Sequence, residues 1–148
     1  MLTRSKNLKG FTLIEILVVV ALIAILAAIT IIAINPAKNF QDARNTQRSS
    51  DVTQILSAVT QYTSEQGRTL ANLGTVPLCT ATPAAIGTGT GNIDLAANLV
   101  PAYLVAIPMD PSNGTAANTG YTICQTANSR VQIAAPNAEG GKTISVQR

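Results

Sequence analysis

Few residues in this chain could carry chemistry, and the most unusual of them is a glutamate inside an apolar segment. The sequence has no histidine, which excludes histidine-dependent nucleophilic catalysis and histidine metal sites. Glu15 lies within residues 11–34, whose only other polar side chains are those of Thr12 and Thr30. An ionisable group at membrane depth costs free energy, so it indicates a functional role. With seven acidic residues in all, the chain is not predicted to be an enzyme, and no cofactor is predicted.

The apolar segment itself predicts a membrane-spanning helix. A helix over residues 11–34 would be about 36 Å long, which exceeds the hydrocarbon core of a bilayer, about 30 Å thick. Arg4, Lys6 and Lys9 precede it without any acidic residue, which predicts that this end stays in the cytoplasm and that the rest lies outside. A secretory signal peptide cleaved near Ala28 is one alternative. An uncleaved anchor is another, and hydropathy alone does not reject it.

The junction before this segment is more specific. Gly10 offers a backbone without a side chain, which a protease can approach closely, and Phe11 follows it. The string KGFTLIEILVVVALIAILAAI resembles the class III leader of type IV prepilins and pseudopilins. That resemblance implies that prepilin peptidase cuts after Gly10 and that Phe11 becomes the N-methylated first residue of the mature chain.

The same resemblance implies a role for Glu15 in assembly, where its carboxylate would meet the N-terminal amine of a neighbouring subunit and set the register. A glutamate that reaches back to the lipid headgroups is the alternative. Cleavage would also change the charge of the chain. Loss of the three leader cations from a total of ten leaves seven basic residues against seven acidic ones. The net charge of +3 therefore describes the leader and does not indicate a basic binding surface.

Residues 35–67 predict a second, amphipathic stretch of the helix. Pro36 predicts a kink, with a simple break at the membrane exit as an equal alternative. Apolar residues follow three- and four-residue spacing, and the charged residues between them are expected on a solvent-facing or subunit-facing surface. The apolar set is Phe40, Ala43, Val52, Ile55, Leu56, Val59 and Tyr62, and the charged set is Lys38, Asp42, Arg44, Arg48, Asp51 and Glu65. Because acids are interleaved with the bases, no specific nucleic acid partner is predicted.

The remainder predicts a small head. Residues 68–120 predict a connection with a flexible glycine-rich loop at 86–92 and a short helix within 94–104. Residues 121–148 predict antiparallel strands at 121–126, 130–135 and 142–147. The expected fold is therefore α+β: a long kinked N-terminal helix packed on a sheet of about three strands, as the resemblance to pilins implies. The segments are a leader (1–10), a membrane or filament-core helix (11–34), an amphipathic half (35–67), a connection (68–120) and a sheet (121–148).

Two further sets of residues in the head are candidates for a site. Cys79 and Cys124 are both expected outside the membrane, where disulfides persist, so a disulfide is predicted, with two separate buried thiols as the alternative. The resemblance makes Asp110 a candidate calcium ligand, because major pseudopilins of type II secretion often bind calcium near there. However, Asp110, Ser112 and Asn113 offer a single carboxylate without EF-hand spacing, which favours a turn that bonds its own backbone. No metal is predicted.

These observations predict a structural subunit of a type IV pilus-like filament, for adhesion, motility or DNA uptake. The implied partners are prepilin peptidase, identical or related subunits, the assembly platform and its ATPase, and membrane lipid before assembly. A pseudopilin of a type II secretion or competence system is the alternative within this class. A membrane-anchored extracellular binding module that never polymerises is the alternative from another class. The expected location is the cytoplasmic membrane before assembly and an extracellular or periplasm-spanning filament afterwards.

Overall fold

The computed structural model describes residues 10–148, which divide into two compact units, residues 10–39 and Phe40–Arg148. The predicted leader cations Arg4, Lys6 and Lys9 lie outside the described residues. Each unit is described by itself.

The first unit is dominated by one apolar helix. Helix α1 spans Leu13–Ile34, and every one of its residues is exposed. Among the described residues, α1 is the single helix that is long and apolar enough to cross a membrane. The predicted membrane-spanning segment and the observed helix therefore coincide closely.

Helix α1 ends at Asn35, which adopts a left-handed conformation with φ of 44°. Helix α2 follows immediately and spans Pro36–Ser64. The sequence predicts the irregularity at Pro36, but the non-helical residue is Asn35. Proline at the first position of a helix lacks only an N–H that would have no partner there, and its φ already suits a helix. Pro36 therefore begins α2, and asparagine is a residue that tolerates the left-handed conformation.

The second unit contains α2 from Phe40 onwards, and one face of this helix is buried in an apolar core. The buried apolar residues of α2 are Val52, Ile55, Leu56, Ala58, Val59 and Tyr62. They belong to one cluster with residues from the connection and the sheet, including the fully buried Ile86, Leu95, Leu99, Ile123 and Ile133. The amphipathic helix predicted from residue spacing is thus present, and its apolar face from Val52 onwards covers the sheet. Phe40 and Ala43, predicted on the same face, are exposed, so that part of the prediction is wrong.

The sheet has four antiparallel strands in the order β1-β2-β3-β4. They are β1 at Ala84–Ala85, β2 at Thr122–Gln125, β3 at Val131–Ala135 and β4 at Ile144–Gln147. Ile123 pairs with Ile133, which pairs with Val146, so one face of the sheet presents apolar side chains to the core. The three predicted strands are present. The short strand β1 was not predicted, because two alanines carry no alternating pattern.

The connection between α2 and β2 is more ordered than the sequence suggests. It contains a 3-10 turn at Leu70–Leu73 and a short helix α3 at Ala96–Leu99, which is shorter than the predicted stretch 94–104. The glycine-rich loop, predicted to be flexible, is bound to a neighbouring segment. The backbone N–H groups of Thr88 and Gly89 donate to the carbonyls of Ala116 and Ala117, each at 2.9 Å.

Close packing of this loop requires glycine at two positions, Gly87 and Gly89. A Cβ atom added at Gly89 would lie 2.7 Å from the carbonyl oxygen of Ala117. At Gly87, which has a φ of +154°, a Cβ atom would lie 2.3 Å from the carbonyl oxygen of Ala117. No side chain fits at that distance, so the glycine content reflects a close approach of two backbones.

Candidate functional site

The first candidate site lies at the start of α1, where Thr12 and Glu15 hold each other. The Thr12 N–H and Thr12 Oγ1 both donate to Glu15 Oε2, at 2.8 and 2.9 Å. In return, the Glu15 N–H donates to Thr12 Oγ1 at 3.3 Å. This reciprocal arrangement is a capping box, which satisfies N–H groups that have no partner within the helix. A carboxylate in the first turn also interacts favourably with the helix dipole.

The residues on the N-terminal side of this cap are exposed. Phe11 is 85% exposed, and a Cβ atom added at Gly10 would meet nothing within 4 Å. Both residues precede the helix, so their peptide bond lies in non-helical backbone. Cleavage at that bond would create an amine on Phe11, the residue next to Thr12. Among the described residues, Glu15 Oε1 accepts no hydrogen bond, so this oxygen can accept one from an amine.

Apart from Glu15, α1 presents almost entirely apolar atoms. Thr30 is the other polar side chain in the helix, and its Oγ1 bonds the carbonyls of Leu26 and Ala27, both at 2.9 Å. Its hydroxyl is therefore satisfied within the helix, as is required in an apolar environment. The large exposed apolar residues of the helix run from Leu13 to Ile34 without a polar face. A surface of this kind needs lipid or other apolar helices to cover it.

The second unit contains a buried ionic network centred on Arg48. Arg48 Nε donates to Asp110 Oδ2 at 2.7 Å, and Nη2 donates to Asp110 Oδ1 at 3.2 Å. Nη1 donates to Asn45 Oδ1 at 3.0 Å and to Glu139 Oε2 at 2.9 Å, while Nη2 also donates to Ser112 Oγ at 2.7 Å. These bonds occupy all the N–H donors of the guanidinium group. Arg48 thus ties α2 to two separate turns of the head.

Glu139 makes the turn between β3 and β4 part of this network. Arg44 Nε and Nη2 donate to the two carboxylate oxygens of Glu139, both at 2.6 Å. Asn45 Nδ2 donates to the Glu139 carbonyl at 2.9 Å, and the Glu139 N–H donates to Asn45 Oδ1 at 3.0 Å. Side chain and backbone of Glu139 are therefore both held by α2.

The charges of the network stabilise each other. Hydrogen bonds from Arg44 and then Arg48 lower the pKa of Glu139 to about 2. Burial acts to raise the pKa of Asp110, but the bonds from Arg48 and from the Ser112 N–H outweigh it, so that pKa lies below its usual value. The bonds to Asp110 and Glu139 raise the pKa of Arg48 further above its usual range. All three groups are therefore charged near neutral pH.

A second buried pair joins α2 to the start of β2. Tyr121 Oη donates to Asp51 Oδ2 at 2.6 Å, and both residues are buried. Burial and the bond to Asp51 raise the pKa of Tyr121 well above its usual value. Asp51 and Arg48 were predicted on a solvent-facing or subunit-facing surface, and this prediction is wrong for both, because they are buried within the head. Their signal is their helical phase: Arg48 lies four residues before Val52 and Asp51 four before Ile55, on the buried stripe.

The structure also places the candidate residues of the head. Asp110 has its carboxylate bonded to Arg48 and to the Ser112 N–H, the latter at 2.9 Å, as in the turn that the sequence favours. Within residues 10–148, no group of three or more His, Cys, Asp or Glu side chains is placed to hold a metal ion. Cys79 and Cys124 form a disulfide that ties the segment before β1 to β2. Outside the head, Pro36 lies 21 residues after Glu15, and no hydrogen bond joins these two residues.

Comparison with known proteins bears on the N-terminal segment. The family model of the prokaryotic N-terminal methylation motif matches residues 5–34. No curated protein and no solved structure matches the chain. The matched range contains Gly10, Phe11 and Glu15 and ends with α1. Residues 5–34 therefore carry the class III leader of type IV pilins and pseudopilins.

Proposed function

We propose that this chain is a structural subunit of a type IV pilus-like filament. The observation that carries the proposal is α1, a helix exposed and apolar on all sides, whose lone carboxylate lies in its first turn. A helix of this kind can stay in lipid as a precursor and then pack among copies of itself in a filament. Its apolar surface remains out of water in both states, so transfer between them does not lose hydrophobic stabilisation.

The proposed sequence of events begins with the precursor in the cytoplasmic membrane, leader inside and head outside. Prepilin peptidase cuts between Gly10 and Phe11, and the new N-terminus is methylated. An assembly ATPase and a platform protein then move the mature subunit from the membrane into the filament. Residues 11–34 become its core and residues 68–148 contribute to its surface.

Glu15 has the positioning role in this proposal. Its Oε2 is occupied by Thr12, while Oε1 is open to the N-terminal amine of the next subunit. A carboxylate and an amine that meet in an apolar filament core attract each other strongly, because little water screens them. A subunit that arrives in the wrong register leaves both charges without a partner, which is costly. Register is thus enforced by the penalty for misplacement.

The first experiment measures the intact mass of the chain in cells with and without prepilin peptidase. We expect a chain that begins at methylated Phe11 only when the peptidase is present. The variant Gly10→Val should block cleavage. Gly141→Val strains a turn of the head at a φ of +72° but leaves the Gly10–Phe11 bond unchanged, so it should still be cleaved. A chain that keeps residues 1–10 with an active peptidase would overturn the proposal and favour an anchored binding module.

The second experiment tests Glu15 by electron microscopy of sheared surface filaments. Glu15→Gln keeps the size of the side chain and removes its charge, so we expect normal cleavage and loss of filaments. Glu65→Gln, which removes one acid from an exposed position, should assemble normally. Filaments at wild-type levels from Glu15→Gln would refute the role of the charge. Filaments confined to the periplasm in the wild type would identify a pseudopilin instead of a surface pilin.

A further inference from the structure

A polar cavity of about 270 Å³ lies in the second unit, between the turn that follows Asp110 and the turn that follows β3. Three asparagines, Asn113, Asn118 and Asn137, line it together with Thr122. None of the described residues that line it carries a charge. We call this cavity the amide pocket.

Hydrogen bonds within the protein orient the side-chain amides of this pocket, and each amide keeps a donor or acceptor group without a protein partner. Asn137 Nδ2 donates to Asn113 Oδ1 at 3.0 Å, and Asn118 Oδ1 accepts from the Gly120 N–H at 3.0 Å. Within residues 10–148, the Nδ2 groups of Asn113 and Asn118 and the Oδ1 of Asn137 have no protein partner. Asn113 and Asn118 are exposed, and no buried side-chain nitrogen or oxygen of the half-buried Asn137 lacks a partner, so these free groups are open to solvent. The pocket therefore offers both donors and acceptors to a ligand.

The turn that forms the first wall of the pocket is held by backbone hydrogen bonds. In the first turn, the Asp110 N–H donates to the Thr119 carbonyl and the Thr115 N–H to the Asn118 carbonyl, both at 2.8 Å. Gly120 has a φ of +82°, and a Cβ atom there would lie 2.7 Å from the Cβ of Asp110, so the turn is closely packed.

The two walls share one foundation in the ionic network. Arg48 bonds Asp110 at the base of the first turn and Glu139 two residues beyond Asn137 in the second. One buried guanidinium thus bonds both of the turns that carry Asn113 and Asn137. A site that is organised before the ligand arrives loses less conformational entropy on binding.

We propose that the amide pocket binds a neutral saccharide, one pyranose ring at a time. Each sugar hydroxyl is both donor and acceptor, which matches a set of amide N–H and carbonyl groups without charge. Small-molecule pockets have volumes from about 300 Å³ upwards. The amide pocket, at about 270 Å³, is slightly smaller and has room for a single ring. The exposed ring of Pro136 offers an apolar surface to the C–H face of the sugar. This inference goes beyond filament assembly and holds whether or not the chain polymerises.

The test is an NMR titration of the full-length, ¹⁵N-labelled chain in dodecylphosphocholine micelles, which have no sugar headgroup to compete. The probes are the methyl glycosides of glucose, galactose and N-acetylglucosamine. We expect at least one to give saturable shifts of the Asn113, Asn118 and Asn137 side-chain amides, with a dissociation constant on the order of 1 mM. Loss of one amide in Asn113→Ala should weaken binding about tenfold.

Controls keep the outcome interpretable. Asn128→Ala removes an exposed amide from the turn between β2 and β3 and should leave binding unchanged. If Asn113→Ala disturbs the fold, Thr122→Val changes a strand residue of the pocket with little change of shape, and should also weaken binding. Three results would overturn the proposal: no saturable shift with any glycoside, shifts that persist in both variants, or equally tight binding of N-acetylalanine methylamide, which would indicate a peptide site.

Discussion

Replacement of Arg48 by methionine tests whether the buried ion pair between Arg48 and Asp110 stabilises the head. Methionine fills a similar volume with an apolar chain but has no N–H donor, so Asp110 loses both of its guanidinium bonds. The side chain of Asp110 is fully buried, and that of Arg48 is 1% exposed. Glu139 keeps its bonds to Arg44. The variant therefore leaves one buried carboxylate without its cation.

The expected magnitude follows from the burial of this pair. Removal of one partner from a buried ion pair costs about 3–5 kcal/mol, because the remaining charge is neither hydrated nor compensated. With a urea dependence of roughly 2 kcal/mol per M, the midpoint of unfolding should fall by roughly 2 M. Arg44→Met is the matched control on the same helix. The Arg44 side chain is 35% exposed, and its pair with Glu139 should contribute no more than about 1 kcal/mol.

The measurement is urea unfolding of the full-length chain in micelles, followed by tyrosine fluorescence. Tyr62, Tyr103 and Tyr121 are the only tyrosines and all lie in the second unit, so their emission reports this unit without a signal from α1. A loss below about 1 kcal/mol for Arg48→Met, equal to that of the control, would refute the reasoning. The double variant Arg48→Met/Asp110→Leu should recover much of the lost stability, since it removes the unpaired charge as well.

Three further predictions concern the second unit and use the same fluorescence assay. The folded pKa of Glu139, about 2, lies below the usual value of 4.5, so its contribution to stability is present above pH 4.5 and is lost as the pH falls towards 2; Glu139→Gln should flatten this part of the profile, and an unchanged slope would contradict it. Reduction of the Cys79–Cys124 disulfide opens a loop of 45-residue separation, which should cost about 4 kcal/mol, and a midpoint unaffected by reductant would show otherwise. Gly87→Ala forces a Cβ atom to within 2.3 Å of the Ala117 carbonyl oxygen and should lower stability by more than about 1 kcal/mol; Gly91→Ala, in open space at a φ of +83°, should cost less.

The N-terminal segment was predictable because its interactions are local. The capping box of α1 was not predicted, although it joins residues only three apart and matches the local pattern Thr-x-x-Glu ahead of an apolar run. The core face of α2 between Val52 and Tyr62 was predictable from residue spacing, and the strands β2, β3 and β4 from short alternating segments. In each case the sequence contains a period or a motif that one element satisfies without its neighbours.

Other features carry no such pattern. Strand β1 consists of two alanines. It forms because β2, which lies about 38 residues later in the chain, pairs with it. The burial of Arg48 contradicts the usual exposure of arginine and can be inferred only from its helical phase. The glycine-rich loop is ordered by hydrogen bonds to the carbonyls of Ala116 and Ala117, and no local motif in the sequence predicts these bonds.

The sequence by itself thus determined the apolar helix, the motif for cleavage and methylation, and the α+β class of the fold. These depend on composition and on contacts within a few residues along the chain. Only the tertiary structure decided that Arg48 is the centre of the head, since its carboxylate partners lie 62 and 91 residues away. The same holds for the amide pocket, where Asn113 and Asn137 meet across 24 residues. Folding brings such side chains together through the packing of whole elements. Contacts between residues so far apart in the chain leave no periodic pattern in the sequence.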